Sequence, residues 1–198
     1  SIAAIHPSTG IHTPFSSFGP TADQRLKPNL TAYGHVIAAS RKGLTQIQGT
    51  SFSAPLVAGF AACVWQKYPE WSNLKLMNEL KRSGDLYPYY DYAHGYGVPQ
   101  ADFFLKDSND RLTTQGGFDI EIRERAIRVL VKNLIDEESV SAYPYLFYHL
   151  EDSKGHLLKY GVAHHKRGQA LNIRRKESYS GAILRVFYKG YMDERVIP

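Results

Sequence analysis

GTSFSAPLVAG, residues 49–59, carries two hydroxyls directly ahead of an apolar run with a proline inside it. The apolar run continues through Trp65 and stops at Pro69, so it predicts a helix from about Ser51 to about Tyr68. A serine at such a helix entry has a particular chemical setting. The first amides of a helix lack intrahelical acceptors and its dipole favours negative charge, so an oxyanion forming there would meet ready donors. Gly49 permits a turn that a Cβ would obstruct, and Pro55 lies near enough to the helix start to be tolerated. Ser53, Ala54, Ala58, Gly59, Ala61 and Ala62 are small enough for close packing into a sheet. These features fit a nucleophilic Ser51, and they fit an ordinary capped core helix equally.

Outward from this helix, SIAAI (1–5) and HVIAAS (35–40) are compact apolar runs that predict short buried strands. FSSFGP (15–20) and KPNLTAYG (27–34), rich in Ser, Gly and Pro, are expected to be ordered loops between them. A second helix starts after Ser72, turns Leu74, Leu76, Met77 and Leu80 toward a core, and ends at Gly84. LYPYYDYAHGYG (86–97) is crowded with tyrosine, and beside Pro and Gly such a cluster packs a loop onto a domain or lines a cleft.

KDSNDR (106–111) is polar and has no apolar anchor, which places a domain boundary between residues 1–106 and 107–198. Beyond it the pattern changes. FDIEI (118–122), AIRVLVK (126–132), YPYLFYHLED (143–152), HLLKYGVAHH (156–165), QALNIRR (169–175) and AILRVFYK (182–189) recur about every ten residues without a helical period. That spacing predicts an all-β antiparallel sandwich of the immunoglobulin or fibronectin type III style, although no Cys-Trp-Cys signature marks it.

The chain of 198 residues has 43% hydrophobic and 13% aromatic composition, enough for packed cores. Its 24 basic and 19 acidic residues leave a net charge of +5, split nearly evenly between the two halves. KRGQALNIRRK (166–176) is the densest basic stretch and reads as a solvated strand pair, so no nucleic-acid partner is expected. The single cysteine, Cys63, excludes an internal disulfide and reads as a buried, inert thiol. No apolar run reaches the roughly 18 residues that span a bilayer, so no membrane span is expected.

GTSFSAPLVAG also resembles the active-site serine motif of the subtilisin-like serine proteases, the subtilases or peptidase S8 family. Its pattern is Gly-Thr-Ser, any residue, Ser or Ala, any residue, Pro, then a small-residue run, and chance matches in a chain this long are on the order of 10⁻⁵. FSSFGP resembles the family's Phe-Ser-Ser-x-Gly-Pro loop. KPNLTAYG resembles its Lys-Pro-Asp-Leu-Thr-Ala-Pro-Gly segment, with Asn29 and Tyr33 at the two departures, and GYGVPQA (95–101) resembles the Gly-Tyr-Gly sequence closing the catalytic domain. The resemblance covers residues 1 to about 105 and implies an α/β fold, a partial subtilase-type parallel sheet with helices. It implies peptide-bond hydrolysis through an acyl-enzyme on Ser51, whose own N–H would also serve the oxyanion hole. Peptide or protein substrates, a secreted or cell-envelope location, and calcium in an intact member follow from the resemblance alone; no cofactor is expected of this chain.

The family order of catalytic groups is Asp, His, Ser, with the oxyanion Asn also ahead of the serine. Only 50 residues precede Ser51 here, and the first of them read as a strand entered partway. None of His6, His12, His35, His94, His149, His156, His164 or His165 has the family's His-Gly-Thr context, and each is expected on the surface or in a loop. Asp23, beside Gln24 and Arg25, reads as a solvated or turn-capping residue, and the adjacent His164 and His165 would point to opposite strand faces, which is unsuitable for metal. The expectation is therefore a subtilase part that is inactive alone and associates with the missing N-terminal portion or with itself. The alternative is a protease-like binding protein whose sandwich binds carbohydrate or protein. An α/β-hydrolase esterase is disfavoured because Ser53 stands where G-x-S-x-G requires Gly.

Overall fold

The computed structural model describes residues 1–105, 117–132, 145–164 and 170–198. The chain divides into two units, Ser1–Asn109 and Asp110–Pro198. The boundary expected at 106/107 lies outside the described residues.

The first unit opens with β1 (Ile2–Ile5), which pairs in parallel with β2 (Leu30–Tyr33) in the register Ile2 with Leu30 through Ile5 with Tyr33. KPNLTAYG is thus not all loop. Its Pro and Gly punctuate the ends of a four-residue strand too short to show a period, and its burial depends on a partner about 28 residues away. β3 (His35–Ser40) and β4 (Gly43–Gln48) form a separate antiparallel hairpin. HVIAAS is a strand as expected, but not a buried one: both hairpin strands are half-buried to exposed, because no further strand among the described residues pairs with them.

α1 (Thr50–Lys67) lies against β1 and β2. Val57 and Val64 are buried, with Phe60 and Ala61 beside them, in a core shared with Leu30 and Ala32. These positions recur at three and four residues, so they form one stripe. The rest of the helix is just as apolar and is not covered: Ala54, Pro55, Leu56, Ala58, Gly59, Ala62 and Trp65 are exposed. Cys63 is exposed with them, which corrects its expected burial. Pro55 sits in the second turn, inside the helix. Without an N–H it cannot bond the Ser51 carbonyl, so the ladder is interrupted where the serine stands.

α2 (Asn73–Arg82) is capped by Ser72, whose side chain accepts from the Lys75 amide at 3.2 Å. Leu76 and Leu80 join the core, whereas Leu74 and Met77 are 68% and 47% exposed, contrary to expectation. The covered face is a single i, i+4 stripe, and 74 and 77 fall off it. Glu79 shares that stripe and is buried between Lys75 at 3.0 Å and Arg82 at 3.1 Å. α3 (Asp102–Leu105) closes the unit with Phe104 in the core.

The second unit holds seven described strands in two antiparallel sheets. β5 (Phe118–Ile122), β6 (Ala126–Val131) and β9 (Leu171–Arg174) form one, in the order β5-β6-β9. The other runs β11-β10-β7-β8, from β7 (Tyr145–Glu151), β8 (Leu157–His164), β10 (Ile183–Tyr188) and β11 (Tyr191–Val196). Ile127, Val129 and Ile173 of the first sheet share one core with Leu146, Tyr148, Leu150, Leu184 and Val186 of the second. The alternate residues of each strand supply it, as the period of two requires. YMDERV was not expected as a strand because its charged residues mask the pattern, and a 3₁₀ turn at Glu177–Tyr179 interrupts the β series.

Two glycines tie the first unit together. Gly34 donates to the Ile5 carbonyl at 2.9 Å, and its carbonyl accepts from the Gly49 amide at 2.9 Å. A Cβ on Gly34 would lie 2.5 Å from the Ala4 Cβ, and Gly49 has φ of 149°, where L side chains are strained. Gly34→Ala and Gly49→Ala should each destabilise this unit by about 1–3 kcal/mol in urea unfolding. Gly59→Ala, at an open helical position, should stabilise it by about 0.5–1 kcal/mol.

Candidate active site

Ser51 sits in the first turn of α1 and is exposed. The link from Gly49 to Gly34 places this turn at the ends of β1 and β2, and the buried Ser53 hydroxyl fixes it by donating to the Tyr33 carbonyl at 3.1 Å. The Gly49 carbonyl accepts from the Phe52 amide at 3.1 Å, whereas the Thr50 and Ser51 amides find no acceptor among the described residues. The Ser51 hydroxyl likewise has no hydrogen-bond partner among them. A hydroxyl, its own unclaimed amide and the positive end of an 18-residue helix therefore share one exposed point. Beside it, the FSSFGP loop, Ser1, Ile2, Lys27, Pro28 and Thr50 enclose a cavity of about 260 Å³.

None of the described histidines is bonded to this serine. In the first unit His94 lies in a loop, as expected, but is buried there, and both its ring nitrogens are engaged. Its Nδ1 lies 2.5 Å from the Asp91 carboxylate and its Nε2 accepts from the His12 backbone amide at 3.0 Å. Asp91 also accepts from the Ala93 and His94 amides at 3.0 Å each, so this Asp–His pair ties two loops together and leaves no lone pair for a serine proton. His12, 6.0 Å from His94 between ring centres, is held below the usual imidazole range by burial and by that neighbour. His6 and His35 lie together at the end of β1 and the start of β3, with ring centres 4.7 Å apart.

In the second unit His149 is buried, against expectation, 3.5 Å from Glu151; His156 pairs with Asp152 in the turn at 3.0 Å, and His164 is exposed. His165 lies outside the described residues. Asp23 is exposed, accepts from Thr21 and pairs with Arg25 at 2.7 Å; its carboxyl is held below the usual range first by the Thr21 hydroxyl. Among the described residues no group of three or more His, Cys, Asp or Glu stands together as a metal-holding cluster.

The tyrosine-rich segment packs inward. Tyr89, Tyr90 and Tyr92 are buried, and the Tyr90 hydroxyl donates to the Pro28 carbonyl at 2.8 Å. The following Gly-Tyr-Gly is bound edge-on to β2, with the Tyr96 amide on Asn29 and the Thr31 amide on Gly97, both at 3.0 Å.

A sequence model of the subtilase family, Peptidase_S8, matches residues 1–97. Residues 1–97 belong to the subtilase family. Three relatives agree. This subtilase segment is similar to subtilisin-like protease SBT2.5 of Arabidopsis thaliana, 33% identical over 95 residues, 38% of this chain and 12% of that protein. It is 38% identical over 71 residues to M-protease of Shouchella clausii, covering 35% of this chain and 17% of that one. With C5a peptidase of Streptococcus pyogenes it shares 43% over 56 residues, 27% of this chain and 5% of that protein. The chain thus spans less than a fifth of the length of these curated relatives. In this subtilase unit the serine motif, the FSSFGP loop and the Gly-Tyr-Gly closure are the elements around β1, β2 and α1.

One carboxyl in this unit titrates unusually. Asp85 packs against Gly97, accepts from the Val98 amide at 2.9 Å, and is pushed up to about 6 by desolvation. A folded-state value above the unfolded 3.8 means the native state holds the proton more tightly, so stability falls as pH rises from about 4 to about 6. Asp85→Asn keeps the acceptor and removes the charge. It should abolish that part of the pH dependence and raise the midpoint of thermal unfolding at pH 7, measured across pH 4–8.

Proposed function

We propose that this chain carries the nucleophile of a serine endopeptidase whose base and base-orienting carboxylate lie outside residues 1–198. The observation that carries the reading is the exposed Ser51 hydroxyl beside its unclaimed amide at the start of α1, within a subtilase segment. All three relatives named above are called proteases or peptidases. In this reading Ser51 Oγ attacks the scissile carbonyl while a histidine takes its proton. The tetrahedral oxyanion is met by the Ser51 N–H at the helix terminus. Collapse expels the amine with the proton returned by the histidine, and water then releases the acyl group from Ser51.

None of the described histidines is bonded to Ser51, which supports the reading that residues 1–198 are inert without the missing base. Export to the cell envelope or medium follows from the same family reading. The three-strand and four-strand sheets around one core support an immunoglobulin or fibronectin type III arrangement for the second unit.

We propose that the rest of the catalytic domain seats on the uncovered side of α1. A helix apolar around its whole circumference belongs in an interior, yet Leu56 and Trp65 are 47% and 43% exposed here. The partner we propose is the part of the same domain that precedes this segment in the longer relatives.

Two outcomes are expected. A fluorophosphonate probe should label Ser51 in the complete protein and not in residues 1–198, and Ser51→Ala should abolish labelling and lower peptide turnover by on the order of 10⁴ or more. Labelling in neither chain would defeat the protease reading. Leu56→Asp and Ala62→Asp should shift the stability of residues 1–198 by less than about 1 kcal/mol. The same changes should prevent recovery of activity when the preceding portion is added in trans; unimpaired recovery, or self-association through this face in sedimentation, would reject that seating.

A further inference from the structure

A second cavity, of about 570 Å³, which the reaction scheme leaves unused, lies between the β3–β4 hairpin and the turn leaving β1. One wall is a face of the β3–β4 hairpin. His35 pairs across the strands with Gln48, and Ile37 with Gln46, so these four side chains project to the same side. The opposite wall is His6-Pro7-Ser8, the turn leaving β1. Gln48 precedes Ser51 by three residues, so this wall lies within about 11 Å of the nucleophile along the chain.

The lining supplies donors and no carboxylate. His6 Nδ1 accepts from the Ser8 amide at 3.2 Å, so its neutral ring carries the proton on Nε2. His35 Nδ1 is buried and has no partner among the described residues. A proton there would be an orphaned buried donor, the costlier arrangement, so this ring also carries its proton on Nε2. Neither Nε2 is buried or bonded within the described residues, and both residues line the cavity. Gln46, Gln48 and Ser8 add further donors. A carboxylate, with four acceptor sites, satisfies such a set; a lysine or arginine side chain would find no counter-charge.

We propose that this cavity is a substrate subsite selecting an acidic side chain, Asp or Glu, near the scissile bond, with His6 and His35 as its specificity-determining residues. The proposal rests on the protease reading. It is tested in the complete protein with peptide sets carrying Glu, Gln or Leu at each position within four residues of the cleaved bond. At one position Glu should exceed Gln and Leu by about tenfold in kcat/KM, the size of one charged hydrogen bond. His35→Gln and His6→Gln should reduce that preference to less than about threefold, with turnover of the Gln peptide and fluorophosphonate labelling of Ser51 within twofold of the parent.

Turnover without an acidic preference, a preference for Leu, or an acidic preference unchanged in both variants would each overturn this inference while leaving the protease intact. A protein that neither cleaves nor labels fails at the protease reading instead. Binding supplies a check independent of turnover: with Ser51→Ala, the Glu peptide should bind about tenfold tighter than its Gln counterpart, and equal affinities would refute the subsite.

Discussion

Two backbone hydrogen bonds at one residue organise the subtilase unit. Gly34 donates to Ile5 at the end of β1 and accepts from Gly49 at the start of α1, with 2.9 Å at each contact. The sheet and the helix terminus are therefore positioned by one peptide plane on either side of a residue that has no side chain. A methyl at Gly34 would strike Ala4, and at Gly49 the φ of 149° suits only glycine. The consequence for chemistry is positional. Ser51 emerges exposed, two residues after a fixed point, at the end of a helix whose first amides are unclaimed. Ser53, one turn into the same helix, is buried and bonded to Tyr33, so two serines two positions apart have opposite roles.

The same helix shows how a sequence can ask for more burial than its own segment provides. Val57 and Val64 are covered by Leu30 and Ala32, yet Leu56, Ala58, Gly59, Ala62 and Trp65 face outward. Small residues on that side would admit a close neighbour, and large apolar ones would make its approach favourable. Elsewhere the unit is thoroughly bonded: Asp91, His94 and the His12 amide join two loops, and Tyr96 and Thr31 tie the Gly-Tyr-Gly turn to β2. The scaffold around the serine is held by hydrogen bonds between its loops, while one side of α1 stays exposed.

The two long helices and six of the seven described strands of the second unit were legible because each rests on local information. A capping serine at 72, a proline stop at 69 and alternation in AIRVLVK act within a few residues. What escaped the sequence depended on distant partners. LTAY is a strand because β1 lies beside it, and HVIAAS is exposed because only β4 pairs with it. Leu74 and Met77 looked like core residues until the width of the covered stripe was set by α1 and α3. The burial of His94 required an aspartate three residues away and an amide 82 residues away.

By itself the sequence singled out Ser51 as the candidate nucleophile only through the resemblance of Gly-Thr-Ser, the small residues and Pro55 to a family motif, since as local features of one helix entry they fit a plain capped helix as well. It also determined that a helical and a β-rich unit follow one another, since hydrophobic period is a property of neighbouring residues. Only the tertiary structure decided that no described histidine is bonded to Ser51, that Asp85 is desolvated against Gly97, and that His6 and His35 line one donor-rich cavity. Those facts depend on side chains meeting across long loops, and the free energy of such meetings is set by geometry and desolvation that no short stretch of chain encodes.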